Sequence, residues 1–383
     1  MTLIVSMSTT NHRSQESDRL AQVRYHDCVH SLLEEVPLAP LTTLGVGGKA
    51  RFFIEAKNTD DVRQAVDYAR FEALPLFVLG GGSNLVVADS GFPGLVIHMK
   101  ITGVTQHKKE GRVIYEAGAG EDWDAFVGQT VAAGYGGIEC LSGIPGTVGG
   151  TPVQNVGAYG QEVSETIARV TVFDRESGVV RILENAECGF AYRTSMFNTT
   201  HRDRFVVLQV AYALTHGAAP KIEYADLKKY FESKPTASLR ETRDAVREIR
   251  RRKGMLLVEG DPDVRSAGSF FKNPIVPIER FLQIDAEMQA RGIVSPRYAV
   301  DEKHVKLSAA WLVEKAGFQK GYEYGNVGIS TKHTLAIVNR DGGTAADVIS
   351  LMNVIRDTVF SRFQVDLHPE PVFIGFENSA VTR

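Results

Sequence analysis

Two glycine-rich segments have the composition needed to hold the anionic part of a ligand. The first, Gly80-Gly81-Gly82-Ser83-Asn84, lies between two short apolar runs. Glycines let main-chain N–H groups approach an anion with no Cβ in the way, and the serine and asparagine add short polar side chains. Such a loop could hold a pyrophosphate without a lysine, although a plain tight turn would also explain this motif taken alone.

The second segment, residues 142–160, mixes glycines with Thr, Asn and Gln but also with Ile, Val and Tyr. A flexible linker would be more polar than this. A backbone wrapped around a large flat ligand explains the mixture better. Two such segments roughly 60 residues apart are a more specific signal than either one alone.

Other nucleotide-binding patterns can be checked directly. Residues 45–50 match GxGxxA, but they run into a predicted strand at 51–55, whereas a Rossmann fingerprint opens a helix whose N-terminus holds the pyrophosphate. The P-loop pattern GxxxxGK[ST] does not occur. A flavin held without a Rossmann fold remains.

The elements that must position these loops follow from hydrophobic periodicity and glycine boundaries. Strands are predicted at 51–55, 76–79, 85–87, 95–98, 170–173, 179–183, 204–211 and 335–338. Helices are predicted at 60–73 with Thr59 as N-cap, 123–133 ending at Gly134, from Ser238 onward, 279–291, 309–315 and 345–360. Strands and helices mix without regular βαβ alternation and without an internal repeat, which predicts an α+β fold.

Composition sets the broad class. The 383 residues suggest two or three domains, and the net charge of -3 gives no reason to expect nucleic acid or a membrane surface as partner. Cys28, Cys140 and Cys188 show neither a CxxC nor a Cys/His spacing, so no metal site is expected and a reducing compartment is favoured. With neither a signal-peptide pattern nor an apolar run of membrane-spanning length, a cytoplasmic location is expected.

At this point the motifs resemble a known family. Four segments resemble the two-part FAD domain of the vanillyl-alcohol-oxidase type: Thr43-Leu44-Gly45-Val46-Gly47-Gly48, residues 80–84, Gly118-Ala119-Gly120-Glu121 and residues 143–160. Three others are similar to the enolpyruvoylglucosamine reductase family: residues 191–197 (AYRTSMF), 266–274 (SAGSFFKNP) and 369–375 (PEPVFIG). The likeness runs from about residue 38 to 376, with the motifs in the family's order.

This resemblance implies a two-part FAD-binding domain followed by a C-terminal α+β substrate-binding domain. The expected divisions are an extension at 1–35, FAD subdomains at 36–100 and 101–235, a substrate domain at 236–365, and a segment at 366–383 that returns to the active site. It implies non-covalent FAD held by Gly80, Gly81, Gly82, Ser83, Asn84, Gly146, Thr147, Gly149, Gly150, Asn155, Gly157, Ala158 and Tyr159.

The resemblance also implies a reaction. NADPH would reduce the flavin, UDP-N-acetylglucosamine enolpyruvate would then occupy the same site, and hydride at C3 with a proton at C2 would give UDP-N-acetylmuramate. Arg193 is suited to hold the substrate carboxylate, because a guanidinium is permanently charged and can bind it with two hydrogen bonds. Glu370 could act on the same carboxylate only if protonated or bridged to another group. Ser269 carries over as the proton donor, helped by a nearby cation such as Lys272.

Substrate contacts are carried over at six positions: Tyr192, Tyr224 as a covering residue from a mobile loop, Lys253, Lys272, Asn273 and His333. The run Arg250-Arg251-Arg252-Lys253 has a plainer explanation as the solvated face of a helix. Read without the resemblance, Arg193 is an ordinary ion-pairing residue, Ser269 a turn residue and Glu370 a loop acid.

Two other functions compete. An FAD-dependent sugar or alcohol oxidase of the same superfamily would often carry a histidine bonded to the flavin, and neither glycine segment contains one. A flavin-binding regulatory module would keep the glycine segments but need not keep Arg193, Ser269 and Glu370. The sequence leaves the oligomeric state open, with a monomer as one possibility.

Overall fold

A computed structural model describes residues 31–109, 112–234 and 236–376 of the chain. Most of the predicted N-terminal extension and residues 377–383 of the C-terminal segment lie outside these ranges. The helices are α1 (Thr59–Phe71), α2 (Trp123–Ala132), α3 (Ala225–Tyr230), α4 (Leu239–Arg252), α5 (Ile278–Gln289), α6 (Ala309–Lys315) and α7 (Ala345–Phe363).

The strands are short and numerous. In chain order they are β1 (Leu33–Pro37), β2 (Lys49–Ala56), β3 (Leu76–Leu79), β4 (Leu85–Val87), β5 (Phe92–Met99), β6 (Val104–Lys109), β7 (Arg112–Gly118), β8 (Tyr135–Gly136), β9 (Gly157–Ala158), β10 (Gln161–Glu162), β11 (Ile167–Asp174), β12 (Val179–Glu184), β13 (Phe205–His216), β14 (Ile275–Pro277), β15 (Arg297–Ala299), β16 (His304–Leu307), β17 (Glu323–Tyr324), β18 (Val327–Ile329), β19 (Ile337–Asn339) and β20 (Val372–Ile374).

These strands form the α+β fold that the sequence predicts. The first sheet has the order β1-β2-β5-β3, and the second has the order β12-β11-β13-β7-β6 with β8 beside β13. Two three-stranded sheets, β14-β16-β15 and β17-β18-β19, belong to the C-terminal part. Residues 45–50 lead into β2 rather than into a helix, which confirms the rejection of a Rossmann fingerprint.

The two largest hydrophobic cores of the described residues hold these parts. One core joins the first two sheets, with Ile54, Trp123 and Tyr212 among its fully buried side chains. A second core packs α5, α6 and α7 against the C-terminal sheets and also takes in Leu44 and Val86 from the N-terminal half. The shared core fixes the C-terminal part against the glycine-rich loops, which is what a site between them requires.

The C-terminal segment returns to the first half of the chain. Strand β20 pairs in parallel with β4, directly after the first glycine loop, and Ile374 packs in a core with Leu79 and Val96. This pairing brings residues 369–375 beside the loop at 80–84.

Some boundaries differ from the predictions. Helix α1 is capped by Asn58 rather than Thr59, because the Asn58 side chain accepts from the Asp61 N–H while the Asp61 carboxylate accepts from Asn58 N–H. The predicted strand at 335–338 is displaced to 337–339, since the Leu335 carbonyl accepts from the Phe270 N–H outside the sheet. Helix α4 packs through Val246 and Ile249 against Tyr159 of the second glycine segment.

Candidate active site

A cavity of about 2040 Å³ runs between the two glycine segments and the C-terminal part of the chain. Most of the predicted site residues line it. Those residues are Gly80, Gly81, Gly82, Ser83, Asn84, Gly146, Thr147, Gly150, Gly157, Ala158, Tyr159, Tyr192, Arg193, Tyr224, Lys253, Ser269, Lys272, Asn273, His333 and Glu370. One continuous cavity thus joins the predicted cofactor, substrate and catalytic positions.

The two glycine segments meet at the wall of this cavity. The Ser83 hydroxyl donates to the Pro145 carbonyl at 2.9 Å. A Cβ on Gly81 would lie 2.6 Å from Gly146 Cα, too close for any other residue. Within the described part of the chain, the N–H groups of Gly81, Gly82 and Ser83 have no protein acceptor. The loop therefore offers main-chain donors to an anionic ligand.

Two predicted cofactor residues lie behind this wall instead of lining it. Gly149 packs against Ala119, whose Cβ would be 2.6 Å from a Cβ at position 149. Asn155 is buried, and its side-chain amide donates to the Ala191 carbonyl at 3.0 Å. Both support the wall from behind, and their contact with the cofactor stays a prediction.

Arg193 is presented to the cavity by a strained turn. Ala191 and Thr194 exchange main-chain hydrogen bonds of 2.9 and 3.0 Å, and Arg193 between them has φ of 54°, in the left-handed region. This conformation is unfavourable for a residue other than glycine, and here it is held by surrounding bonds such as that from the Asn198 amide to the Arg193 carbonyl at 3.2 Å. The turn aims the guanidinium at the C-terminal segment.

Arg193 and Glu370 form an ion pair inside the cavity. Arg193 Nε lies 3.3 Å from Glu370 Oε1, and both side chains are largely buried, with 25% and 16% exposure. The angle does not make this contact a hydrogen bond, so the buried Nε–H lacks a hydrogen-bond partner within the described residues. Arg193 lines the cavity, where a guanidinium can bind a carboxylate.

Ser269 faces His333, which lies in the connection between β18 and β19. Its hydroxyl lies 3.2 Å from His333 Nε2. Burial lowers the pKa of His333 to about 4, and the positive charges of Lys253, Lys320 and Arg250 add to that effect. The imidazole is therefore neutral at pH 7 and has one nitrogen that can accept and one that can donate a hydrogen bond.

A second corner of the cavity combines Tyr159, Tyr224 and Lys253. The two tyrosine rings meet edge to face at 5.5 Å, and Tyr224 directly precedes α3 with 46% of its surface exposed. Lys253 Nζ lies 2.5 Å from Asp226 Oδ2 and 5.9 Å from the centre of the Tyr159 ring. An exposed aromatic side chain next to a cation is suited to cover a charged sugar nucleotide.

Some residues of the basic run at the end of α4 are exposed to solvent, and others are buried or line the cavity. Arg251 and Arg252 are exposed and both pair with Glu248, as the solvated-face explanation predicts. Arg250 is buried, and its Nε donates to the Gly143 carbonyl at 2.9 Å. Lys253 points into the cavity. Arg250 thus braces the second glycine segment, a role that the charge run alone does not show.

Tyr192, Asn273 and Lys306 form the wall beyond Arg193. Asn273 Oδ1 accepts from Ala309 N–H at 2.9 Å. Lys306 Nζ lies 4.6 Å from the centre of the Tyr192 ring. Lys306, Gln154 and Asp226 also line the cavity and were not predicted from the sequence. The alternation of buried Val305 and Leu307 around Lys306 is the signal that could have placed its side chain on the other face of β16.

Comparisons with known proteins agree with this architecture. A family model described as "UDP-N-acetylenolpyruvoylglucosamine reductase, C-terminal domain" matches residues 261–374, and one described as "FAD binding domain" matches residues 50–183. The UDP-N-acetylenolpyruvoylglucosamine reductase of Thermobifida fusca (strain YX) is 48% identical, over 90% of this chain and 98% of that protein.

The chain belongs to the UDP-N-acetylenolpyruvoylglucosamine reductase family.

Further relatives of this reductase family give the same result. The reductase of Saccharopolyspora erythraea (strain ATCC 11635) is 45% identical over 88% of this chain and 94% of that protein. The crystal structure of the Thermus caldophilus reductase superposes with a TM-score of 0.62 at 26% identity, covering 89% of this chain and 98% of that one. The chain is therefore an FAD-containing oxidoreductase with the two-part FAD domain and C-terminal α+β domain that the sequence predicts. The matches overturn the alternatives of an oxidase and of a regulatory module.

The residues of this reductase fit FAD. The opposed glycine segments leave a cradle that a Cβ on Gly81 would distort, and unpaired N–H groups of the first loop face the cavity as a pyrophosphate requires. The described residues contain no group of three His, Cys, Asp or Glu side chains able to hold a metal ion. Among the helices of the described ranges, none combines the length and hydropathy needed to cross a membrane.

Proposed function

We propose that this protein catalyses the NADPH-dependent reduction of UDP-N-acetylglucosamine enolpyruvate to UDP-N-acetylmuramate, with non-covalent FAD. The observation that carries the proposal is the meeting of Arg193, Ser269 and Glu370 in one cavity, although they come from three separate parts of the chain. Family membership supplies the substrate class. The product is a precursor of the bacterial cell wall, and we place the reaction in the cytoplasm, with roles in cell shape and division.

The two half-reactions share one cavity. Bound between the two glycine segments, FAD would supply the hydride chemistry that links NADPH to C3 of the enolpyruvyl group. The residues around it bind and orient the substrates, and their charges determine which ligand groups lie where. Lys253, Lys272 and Asn273 are proposed to bind the diphosphate, and Tyr192 and Tyr224 to pack on the sugar nucleotide.

Arg193 is proposed to bind the substrate carboxylate. Hydride addition at C3 develops negative charge on C2 and on that carboxylate, and a fixed guanidinium stabilises this charge more strongly in a water-poor cavity than in water. Glu370 next to the same carboxylate would repel it if it carried an unshared charge. The 3.3 Å contact with Arg193 supplies the bridge, so Glu370 can orient the guanidinium without that repulsion.

Ser269 is proposed to deliver the proton to C2. A serine hydroxyl is a weak acid, so it can act only next to a strongly basic carbanion and with support for the oxygen it leaves behind. His333 at 3.2 Å is placed to donate an Nε2–H hydrogen bond to that oxygen, and the cations around His333 favour negative charge there. The transferred proton then returns to Ser269 from solvent in a later step.

The purified protein tests this proposal directly. It should show flavin absorbance, release its yellow colour on denaturation, and oxidise NADPH beyond one equivalent per flavin only when the enolpyruvyl sugar is present. The product should be two mass units heavier than the substrate, because one hydride and one proton are added. Rapid NADPH oxidation driven by oxygen, with no reduced sugar formed, would contradict the proposal.

A further inference from the structure

The main-chain carbonyl of Glu370 is held by two side-chain amides from the two glycine segments. Asn84 Nδ2 and Gln154 Nε2 each donate to it, both at 3.3 Å. The two amides are also joined to each other, because Asn84 Nδ2 donates to Gln154 Oε1 at 3.0 Å. Three segments that are far apart in the chain thus close a triangle of hydrogen bonds around one carbonyl.

Main-chain hydrogen bonds also hold the rest of the backbone around Glu370. Its N–H donates to the carbonyl of Phe270, the residue after Ser269, at 2.9 Å. Two residues further on, Val372 N–H donates to the Asn84 carbonyl at 2.9 Å and starts the pairing of β20 with β4. The main chain on both sides of the Glu370 side chain is therefore anchored, by one hydrogen bond to the Ser269 segment and by three to the glycine segments.

We infer that Gln154 is a positioning residue for the reduction of the enolpyruvyl group, acting through Glu370. This inference rests on the proposed function, in which Glu370 orients Arg193 toward the substrate carboxylate. Gln154 uses both ends of its amide, accepting from Asn84 with Oε1 and donating to Glu370 with Nε2. A glutamate or a methionine at this position cannot make both bonds.

The consequence is a link between the glycine segments and Glu370, which acts in the second half-reaction. The carbonyl that Gln154 holds and the carboxylate that lies 3.3 Å from Arg193 Nε belong to the same residue, Glu370. If the carbonyl is released, the peptide can rotate and the carboxylate no longer has one preferred place. Arg193 then loses the partner that fixes its guanidinium, whereas the loops that bind FAD keep their own contact between Ser83 and Pro145.

Gln154 also lines the cavity, so a direct contact with FAD or with substrate is the competing explanation. The two explanations differ in which half-reaction they affect. A residue that acts only through Glu370 spares flavin reduction by NADPH and adds nothing once Glu370 is changed. A residue that contacts the flavin itself changes flavin content or both half-reactions.

The test compares Gln154→Met, Glu370→Gln and the double variant as purified FAD-containing proteins in stopped-flow absorbance. Gln106→Met, the same change at an exposed position on β6 outside the cavity, is the matched control. We expect Gln154→Met to bind FAD and to be reduced by NADPH like the parent. Its reoxidation by the enolpyruvyl sugar should be about tenfold slower, the effect of one lost hydrogen bond on a preorganised group.

The double variant decides between the explanations. Reoxidation as slow as in Glu370→Gln alone would support action through Glu370. Effects that multiply, equal slowing of both half-reactions, or loss of FAD from Gln154→Met would overturn the inference. Unchanged reoxidation in Glu370→Gln alone would instead refute the role proposed for Glu370, whatever Gln154→Met does, so the two failures can be told apart.

Discussion

Replacing Ser269 by alanine removes one hydroxyl and leaves the surrounding cavity in place. The structure gives this hydroxyl one side-chain partner, His333 Nε2 at 3.2 Å. If Ser269 only stabilised His333, the change would cost the net value of one hydrogen bond, about 0.5–1.5 kcal/mol, which corresponds to roughly two- to tenfold in rate. If Ser269 delivers the proton, the expected loss is that of a general acid, about 10²–10⁴. The two expected losses therefore differ by about a factor of ten or more.

Stopped-flow absorbance at the flavin band measures each half-reaction separately. In Ser269→Ala, flavin reduction by NADPH should keep the parent rate, because that step delivers no proton to carbon. Reoxidation by the enolpyruvyl sugar should slow by about 10²–10⁴. Ser269→Cys should recover part of this loss, since a thiol is similar in size and more acidic than a hydroxyl.

Two results would refute this reasoning. A reoxidation rate within about tenfold of the parent would assign Ser269 to hydrogen bonding with His333 alone. Equal slowing of both half-reactions would mean that the residue positions the flavin or shapes the shared cavity.

Three further predictions concern the rest of the site. Gly81→Val should lose FAD, because a Cβ there would lie 2.6 Å from Gly146 Cα and separate the two glycine segments; a full flavin spectrum after reconstitution would contradict this. Tyr224→Phe should weaken binding of the UDP sugar by roughly two- to tenfold, the value of one hydrogen bond, and leave flavin reduction unchanged; slowing of flavin reduction would contradict the covering role. The stability of the fold should fall as the pH drops from 6.5 toward 4, because burial lowers the pKa of His333 to about 4 and the unfolded chain then takes up the proton first. Urea unfolding of His333→Gln should show a shallower fall over this pH range than the parent, by up to about 3 kcal/mol, and an identical fall would contradict the assignment.

The chemistry of the glycine segments was predictable because the backbone freedom of glycine and the polarity of short side chains depend little on distant parts of the chain. A triple glycine between apolar runs allows few structures, and the loop at 80–84 lies at the cavity as expected. Most strands and helices were equally predictable, since periodicity is a local property. The exact cap of α1 was not, because Asn58 and Thr59 are both good caps and only the bond to Asp61 decides between them.

Features that depend on distant partners could not be predicted from the residues themselves. The left-handed φ of Arg193 results from the bonds of the surrounding turn, and arginine carries no signal for it. The burial of Arg250 within a run of four basic residues depends on Gly143, to which it donates. The triangle of Asn84, Gln154 and Glu370 required the fold, since each residue alone is an ordinary polar side chain. Family resemblance placed Glu370 in the site, and only the structure gives the bonds that hold it there.

The pairing of β20 with β4 also has a consequence for how the protein is made. Asn84 and Glu370, which this pairing brings together, are 286 residues apart in the chain. A ribosome that adds 5–20 residues per second needs roughly 15–60 s to cover that distance, whereas a small domain folds much faster. The glycine segments are therefore synthesised, and have time to fold, long before β20, whose pairing with β4 brings Glu370 to the cavity. Catalytic competence would be acquired only after β20 has been made and docks beside a loop that is already formed.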